Sequence, residues 1–138
     1  MSRKRKWMKR EGGQSIVELA LTLPLLLLLI CGMLELGWVA SAKLALENIT
    51  REGVRAGIVA TSAADNTSRV RSRINGMKPD FMTNDLEITV SYSDGASFRA
   101  GDITVVTRYD LPSITPLTGF LSDGGVFHLE AACTMKMS

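Results

Sequence analysis

The sequence predicts an α+β protein: a long N-terminal helix, membrane-spanning in its first part, packed on a small three-stranded antiparallel sheet with one short second helix. Three observations favour this fold class. An apolar run without a charge extends from Leu19 to Leu34. Small apolar residues then recur at helical spacing to about residue 61, and three later segments alternate apolar with polar residues as strands do. The 138 residues leave room for one modest domain beside the span.

A transmembrane helix is predicted over residues 14–42. The charge-free run is roughly 24 Å long at about 1.5 Å per residue, and extending it on both sides gives about the 20 residues that a bilayer requires. Pro24 lies inside the span, where it removes one backbone hydrogen bond and can kink the helix. Glu35 is interpreted as a marker of the outer edge, and Trp38 as an aromatic anchor at the far interface.

Charge is distributed unevenly along the chain and predicts its orientation. Six of the 16 basic residues lie within the first ten positions, namely Arg3, Lys4, Arg5, Lys6, Lys9 and Arg10. Subtracting these six and Glu11 from totals of 16 basic and 14 acidic residues leaves ten basic and thirteen acidic, a balance of −3. A basic flank stays in the cytoplasm, so the C-terminal domain is expected outside. An acidic domain also argues against nucleic-acid binding.

An extracytoplasmic domain is predicted over residues 43–138. The first helix continues to about residue 61, and a short helix and three strands follow, over about 65–77, 86–92, 103–109 and 126–135. A seam of small and apolar residues runs along the first helix: Ala42, Ala45, Leu46, Ile49, Gly53, Ala56 and Ala60. Such a seam allows close approach of another element. It would cover either the chain's own domain or a neighbouring subunit, and both interpretations stay open.

No group of residues predicts catalysis, a cofactor or a metal site. His128 is the sole histidine and falls on the polar face of the last predicted strand. The two cysteines, Cys31 and Cys133, lie far apart in apolar surroundings and make no disulfide framework. The aspartates lack the spacing of a calcium loop, and the glycines form no phosphate-binding loop. We therefore expect no enzyme and no cofactor.

The residues around Glu18 resemble a known processing site. Gly13 is followed by Gln14-Ser15-Ile16-Val17-Glu18, which looks like a type IV prepilin cleavage site. In that family the peptidase cuts after the glycine, and a glutamate is the fifth residue of the mature chain. The longer string GQSIVELALTLPLLLLLICGMLELG, with NITREGVRAG at 48–57, closely resembles the TadE-like minor pilins (pseudopilins) of tight-adherence pilus systems.

The resemblance implies a pilin-like fold and a part in assembly or priming of a tight-adherence (Flp-type) pilus. Residues 1–13 would be a basic cytoplasmic leader, removed by a prepilin peptidase at the bond between Gly13 and Gln14. Glu18 would serve processing or assembly, with the new α-amine of Gln14 offsetting its charge in lipid. The implied partners are the peptidase, other major and minor pilins, the inner-membrane assembly platform and membrane lipid. The implied location is the bacterial inner membrane, with entry into the pilus left open.

Two other interpretations remain open. In the first, the chain is an unprocessed single-pass membrane anchor that carries a binding module outside the cytoplasm. In the second, it is a secreted protein cleaved after Ala42. The second rests on Ala40-Ser41-Ala42, which has the small-x-small form that a signal peptidase favours. The length of the span and the helical pattern that runs through this site favour the pilin.

Overall fold

The computed structural model describes residues 11–59, 63–93, 101–115 and 123–137. Two helices come first, α1 (Glu11–Ile58) and α2 (Ala63–Met77). Three strands follow, β1 (Glu87–Tyr92), β2 (Gly101–Pro112) and β3 (Val126–Met137). One long apolar helix, one short helix and a three-stranded sheet confirm the predicted fold class. Helix α1 ends at Ile58, whereas the sequence predicts an end at about residue 61. Residues 60–62 lie outside the described ranges.

The sheet is an antiparallel meander in which β2 lies between β1 and β3. Val105, near the middle of β2, pairs with Val90 on one side and Cys133 on the other. Near the β1–β2 connection, the backbone N–H of Ser93 donates to the carbonyl of Asp102 over 3.0 Å. The β-branched residues of β2 fit a pleated strand with neighbours on both sides, which explains its central place.

The two faces of the sheet differ in polarity. The face toward the helices carries buried apolar side chains, which include Ile88, Ile103, Val105, Tyr109, Leu111, Leu129 and Ala131. The outer face carries cross-strand polar pairs: Arg108 donates to Glu130 over 2.6 Å, and the hydroxyls of Thr104 and Thr134 lie 2.8 Å apart. The hydrogen bond from Arg108 and the charge of Glu130 raise the pKa of that guanidinium above its ordinary value. Alternating side chains thus give one buried and one solvated face.

The second half of α1 covers the inner face of the sheet. Ala42, Leu46, Ile49 and Val54 are buried along one side of it. The seam that the sequence predicts therefore packs against the chain's own domain. A polar contact within this interface joins α1 to β2: the hydroxyls of Thr50 and Thr107 are hydrogen-bonded. Thr50 also donates to the carbonyl of Leu46 over 2.6 Å. The hydroxyls of Thr50 and Thr107 are thereby satisfied within the core.

Helix α2 packs on α1 where glycines replace larger residues. A Cβ atom at Gly53 would lie 2.6 Å from the side chain of Ile74. A Cβ atom at Gly57 would lie 2.6 Å from Asn66 Oδ1 and 2.9 Å from Val70. These distances are below van der Waals contact, so the two glycines allow the helices to approach. Their cost in helix propensity is offset by this packing.

A turn before β3 brings the residues after β2 back toward α1. Residues Asp123–Gly125 form a short 3-10 turn in which Gly124 and Gly125 have φ of 72° and 71°. This left-handed conformation is one that glycine adopts without steric cost. The backbone N–H of Ser113 donates to the carbonyl of Gly125 over 2.8 Å. Residues 113–115 are thereby held beside the start of β3, and residues 116–122 lie outside the described ranges.

Candidate functional site

The first half of α1 is an apolar helix whose described side chains are mostly exposed. Its described side chains are exposed from residue 13 to Ile30, and the exposed fraction of Leu21 is 75%. Among the described residues, α1 is the one helix long and apolar enough to cross a membrane. An exposed leucine-rich surface of this size is unfavourable in water and matches the length that a bilayer requires. The helix therefore fits a single-pass membrane anchor.

The predicted processing residues lie at the start of this exposed helix. Gly13, Gln14 and Glu18 are all exposed, and nothing lies within 4 Å of the place where a Cβ atom would stand at Gly13. Gln14 and Glu18 are four residues apart, which puts them on the same face of the helix, about 6 Å apart along its axis. The backbone nitrogen of Gln14 and the carboxylate of Glu18 are thus one helical turn apart within a single chain.

Pro24 lies within α1 without ending it. The helix is continuous from Glu11 to Ile58 and includes this proline. Just before Pro24, the Thr22 hydroxyl donates to the carbonyl of Glu18 over 3.0 Å and lies 3.3 Å from that of Leu19. A threonine hydroxyl that donates to a carbonyl of the preceding turn has its hydrogen bond satisfied within the helix, which makes it compatible with apolar surroundings. The predicted kink remains an expectation, and the predicted loss of one hydrogen bond follows from the proline itself.

Glu35, which the sequence predicts as a marker of the outer edge of the span, is buried. Only 3% of its surface is exposed. Its carboxylate accepts a hydrogen bond from the backbone N–H of Ile114 over 3.1 Å through Oε1. Through Oε2 it accepts two more from Thr115, one from the backbone N–H over 3.1 Å and one from the hydroxyl over 3.0 Å. Residues of the segment after β2 therefore cover a carboxylate that would otherwise face lipid or water.

Trp38, one turn after Glu35, contacts the domain as well. Its ring is half-buried and lies 4.9 Å from that of Phe81, at an interplanar angle of 57°. This tilted arrangement is one that aromatic pairs favour. Among the described residues its buried Nε1 has no hydrogen-bond partner. Trp38 thus fixes the domain on the helix, and its role as an interfacial anchor remains a prediction.

The predicted site residues fall into two groups. Gly13, Gln14, Glu18 and Pro24 lie on the exposed helix, away from the domain. Glu35 and Trp38 join the helix to the domain. Sequence reasoning missed the partners of the second group, Thr115 and Phe81. A helical or strand pattern gives no signal for them, because they lie far along the chain from Glu35 and Trp38, in connecting segments.

The sole histidine, His128, lies beside an aspartate on the outer face of the sheet. Among the described residues, no group of three or more His, Cys, Asp and Glu side chains could hold a metal ion. His128 Nδ1 lies 2.6 Å from Asp110 Oδ1, but the two side chains are 78% and 63% exposed on the outer face of the sheet. They are paired because β2 and β3 set these two residues opposite each other. An exposed pair of this kind contributes little to stability.

Comparison with known proteins supports the resemblance that these residues suggest. Residues 13–55 match the sequence profile of the family described as TadE-like protein. The match begins at Gly13 and includes Glu18, Pro24, Glu35 and Trp38. No curated protein and no solved structure matches the chain. The family indicates a minor pilin associated with the Tad pilus, a structural rather than an enzymatic role. Over its exposed apolar helix and the first part of the packed helix, the chain is therefore similar to TadE-like proteins of the Tad pilus system.

Proposed function

We propose that this chain is a minor pilin, or pseudopilin, that takes part in assembling or priming a tight-adherence pilus after cleavage by a prepilin peptidase. The observation that carries the proposal is the match of residues 13–55 to TadE-like proteins. The apolar helix, whose described side chains are exposed from residue 13 to Ile30, supports it, because such a helix can be held in lipid first and packed against other helices later.

The proposed cleavage falls between Gly13 and Gln14. Among the described residues, no atom lies within 4 Å of a Cβ atom placed at Gly13, and its backbone is not left-handed, so neither packing nor conformation requires glycine there. Recognition by a peptidase supplies a reason for the glycine that packing does not. The leader, residues 1–13, holds the cluster of basic residues, and these would keep the cleavage site on the cytoplasmic side.

Cleavage would change the electrostatic surroundings of Glu18. A carboxylate in lipid is costly unless it is paired. The new α-amine on Gln14 would lie one turn before Glu18 on the same face of the helix, and either this amine or that of a neighbouring chain can pair with the carboxylate. The leucines around Glu18, such as Leu19 and Leu21, are exposed. In an assembly they would pack against the helices of other pilins.

The proposed location is the bacterial inner membrane, with the N-terminus in the cytoplasm and the domain outside. The continuous α1 supports this arrangement, because one helix leads from the apolar segment into the domain. The solvated outer face of the sheet, with Arg108 paired to Glu130, suits an aqueous surrounding. The proposed partners are the prepilin peptidase, major and minor pilins and the membrane assembly platform. Incorporation into the filament would follow extraction of the helix from the bilayer.

The secreted form is less compatible with the packing. Cleavage after Ala42 would cut α1 at a residue that is 0% exposed within the core. It would also remove Glu35 and Trp38, together with their contacts to Thr115 and Phe81. The unprocessed anchor keeps all these contacts, so it is the stronger of the two other interpretations.

N-terminal sequencing and intact mass of the protein, recovered from both the membrane fraction and the culture supernatant, test the proposal. The full chain is expressed with its native prepilin peptidase and, as the control, in a strain without that peptidase. A chain that begins at Gln14 only when the peptidase is present is the expected result. A start at Lys43 would indicate secretion, and a chain that keeps its leader in both strains would indicate the unprocessed anchor. Either of these two results would overturn the processed pilin.

A further inference from the structure

Because Ile114 and Thr115 cover Glu35, the membrane-embedded part of α1 can extend beyond this residue. Glu35 is buried under residues 113–115, while its neighbours Leu34 and Leu36 remain 63% and 73% exposed. The surface that α1 presents at this level is therefore apolar despite the glutamate. Beyond Glu35, the next charged residue along the helix is Lys43.

The length of the apolar surface now matches a bilayer. The charge-free run, Leu19–Leu34, is about 24 Å long, which is shorter than the roughly 30 Å of hydrocarbon in a typical bilayer. With Glu35 covered, the uncharged surface continues to Trp38, and the 20 residues from Leu19 correspond to about 30 Å. The outer hydrocarbon boundary would then lie close to the level of Glu35 and Trp38.

The segment that covers Glu35 carries an exposed apolar side chain of its own. Ile114 donates its backbone N–H to Glu35, and 59% of its surface is exposed. The hydrogen bonds to Glu35 fix Ile114 beside the helix at the level where the apolar surface ends. An isoleucine held there is favoured at the boundary between lipid and water, because its side chain can leave water while the backbone stays bonded.

We propose that residues 113–115 rest on the outer surface of the lipid bilayer and that Ile114 enters the headgroup region. The proposal rests on the membrane anchor that the proposed function includes. The partner is the lipid surface itself rather than a second copy of the chain, because the hydrogen bonds to Glu35 set the height of Ile114 on a helix that crosses that surface. Glu35 acts by positioning this segment and by hiding its own carboxylate.

Isoleucine methyl groups provide a test within the intact protein. The chain has eight isoleucines, and they lie on the apolar helix, in the segment that covers Glu35 and in the core of the domain. Ile16 and Ile30 are exposed on the apolar helix, Ile114 is the probe, and Ile74 is buried between α2 and α1. The full chain, labelled at isoleucine methyls, is placed in nanodiscs of phosphatidylethanolamine and phosphatidylglycerol. One preparation carries a nitroxide lipid labelled at the headgroup, and another carries the nitroxide deep in the acyl chain.

The expected result is selective loss of signal. With the headgroup label, the signals of Ile16 and Ile114 should lose most of their intensity, while that of Ile74 keeps it. With the deep label, the signal of Ile30 should be lost. Ile114→Leu removes the labelled isoleucine while it keeps the apolar volume, so it identifies the Ile114 signal. In Glu35→Ala, the Ile114 signal should regain intensity because the segment is no longer held at that level.

The outcomes separate this proposal from the membrane anchor. If the deep label removes the Ile30 signal but the headgroup label leaves the Ile114 signal as intense as that of Ile74, the membrane anchor stands. The proposed contact of Ile114 with lipid is then wrong. If Ile114 is protected from the label but shifts as more chains are placed in each disc, a second copy covers it, which also overturns the proposal. If Ile30 is unaffected by the deep label, the helix is not in lipid and both proposals fail.

Discussion

Glu35 and Thr115, 80 positions apart in the chain, are joined through one carboxylate oxygen that accepts both the backbone N–H and the hydroxyl of Thr115, over 3.1 Å and 3.0 Å. The other oxygen accepts the N–H of Ile114 over 3.1 Å. The three bonds tie the segment after β2 to the helix at the end of its charge-free run. The domain and the membrane helix are thereby connected by specific polar contacts as well as by apolar packing.

Glu35→Gln should destabilise the domain by about 1–3 kcal/mol, because the amide keeps one acceptor oxygen and turns an NH₂ group toward an N–H donor. The free energy of unfolding of the full chain in detergent micelles measures this change. Amide hydrogen exchange at Ile114 and Thr115 should accelerate at the same time, because these are the donors that lose their acceptor.

Glu47→Gln is the matched control for that substitution. Glu47 lies on the same helix, but its side chain is 38% exposed and 3.9 Å from Lys43. Loss of an exposed pair changes stability by about 0.5 kcal/mol or less. Equal effects of the two substitutions would show that the buried contact of Glu35 contributes nothing beyond an ordinary surface charge.

Gly53→Ala should destabilise the domain by about 1–3 kcal/mol, because the added methyl group overpacks the α1–α2 contact. The Cβ atom would lie 2.6 Å from the Cγ1 and Cδ1 atoms of Ile74, whose branched side chain has little freedom to move. Thermal unfolding followed by circular dichroism measures the effect.

Gly76→Ala gives the contrast for the glycine prediction. Gly76 lies near the end of α2, and a Cβ atom there meets nothing within 4 Å. The substitution should leave stability unchanged or raise it by up to about 1 kcal/mol through helix propensity. If Gly53→Ala were also neutral or stabilising, the close approach of α2 to α1 at Ile74 would not need a glycine.

Thr50 and Thr107 should be energetically coupled, because their hydroxyls bond to each other inside the core. Each single change to valine is expected to cost about 1 kcal/mol, since it removes one partner of a buried polar group. The double change should cost less than the sum of the two by about 0.5 kcal/mol or more. A double-mutant cycle on the free energy of unfolding measures the coupling, and strictly additive effects would rule it out.

The order of elements and the inward faces of the strands could be predicted, because local periodicity determines them. Leu129 and Ala131 alternate with polar residues in the sequence and are buried in the structure. From the sequence alone, the seam of small residues around Gly53 could pack against the chain's own domain or against a neighbouring subunit, because small residues permit approach of any apolar surface. Only the tertiary structure, in which Ile74 lies against Gly53, identifies the partner as α2 of the same chain.

The environment of Glu35 could not be predicted for a different reason. A glutamate that follows an apolar run has the pattern of a boundary residue. Its burial depends on Ile114 and Thr115, which belong to a connection without helical or strand periodicity, and no local rule links residues so far apart. The processing roles of Gly13 and Glu18 are implied by the resemblance to prepilins, and the structure adds that both residues are exposed on one continuous helix.

Gly13→Arg should leave the leader uncleaved and abolish pilus assembly, because the proposed peptidase recognises glycine before the cut. An intact mass that includes residues 1–13 is the expected readout. Gly12→Arg is the matched control, since it adds the same charge one position earlier and should still be processed. Normal cleavage of the Gly13→Arg chain would remove the basis for placing the cut at this residue.

Glu18→Ala should be cleaved normally and should fail to assemble, because the α-amine created on Gln14 would lose the carboxylate that it pairs with in lipid. The mass of the extracted chain reports cleavage, and the sheared pilus fraction of a strain with the native pilus system reports assembly. Glu18→Gln tests whether charge rather than size is required and should fail in the same way.

Thr22→Val, one turn later on the same exposed face, is the control. It removes a hydroxyl that donates to carbonyls of its own helix, and the variant should assemble. Full assembly of the Glu18→Ala chain would reduce Glu18 to a residue that marks the cytoplasmic edge of the span.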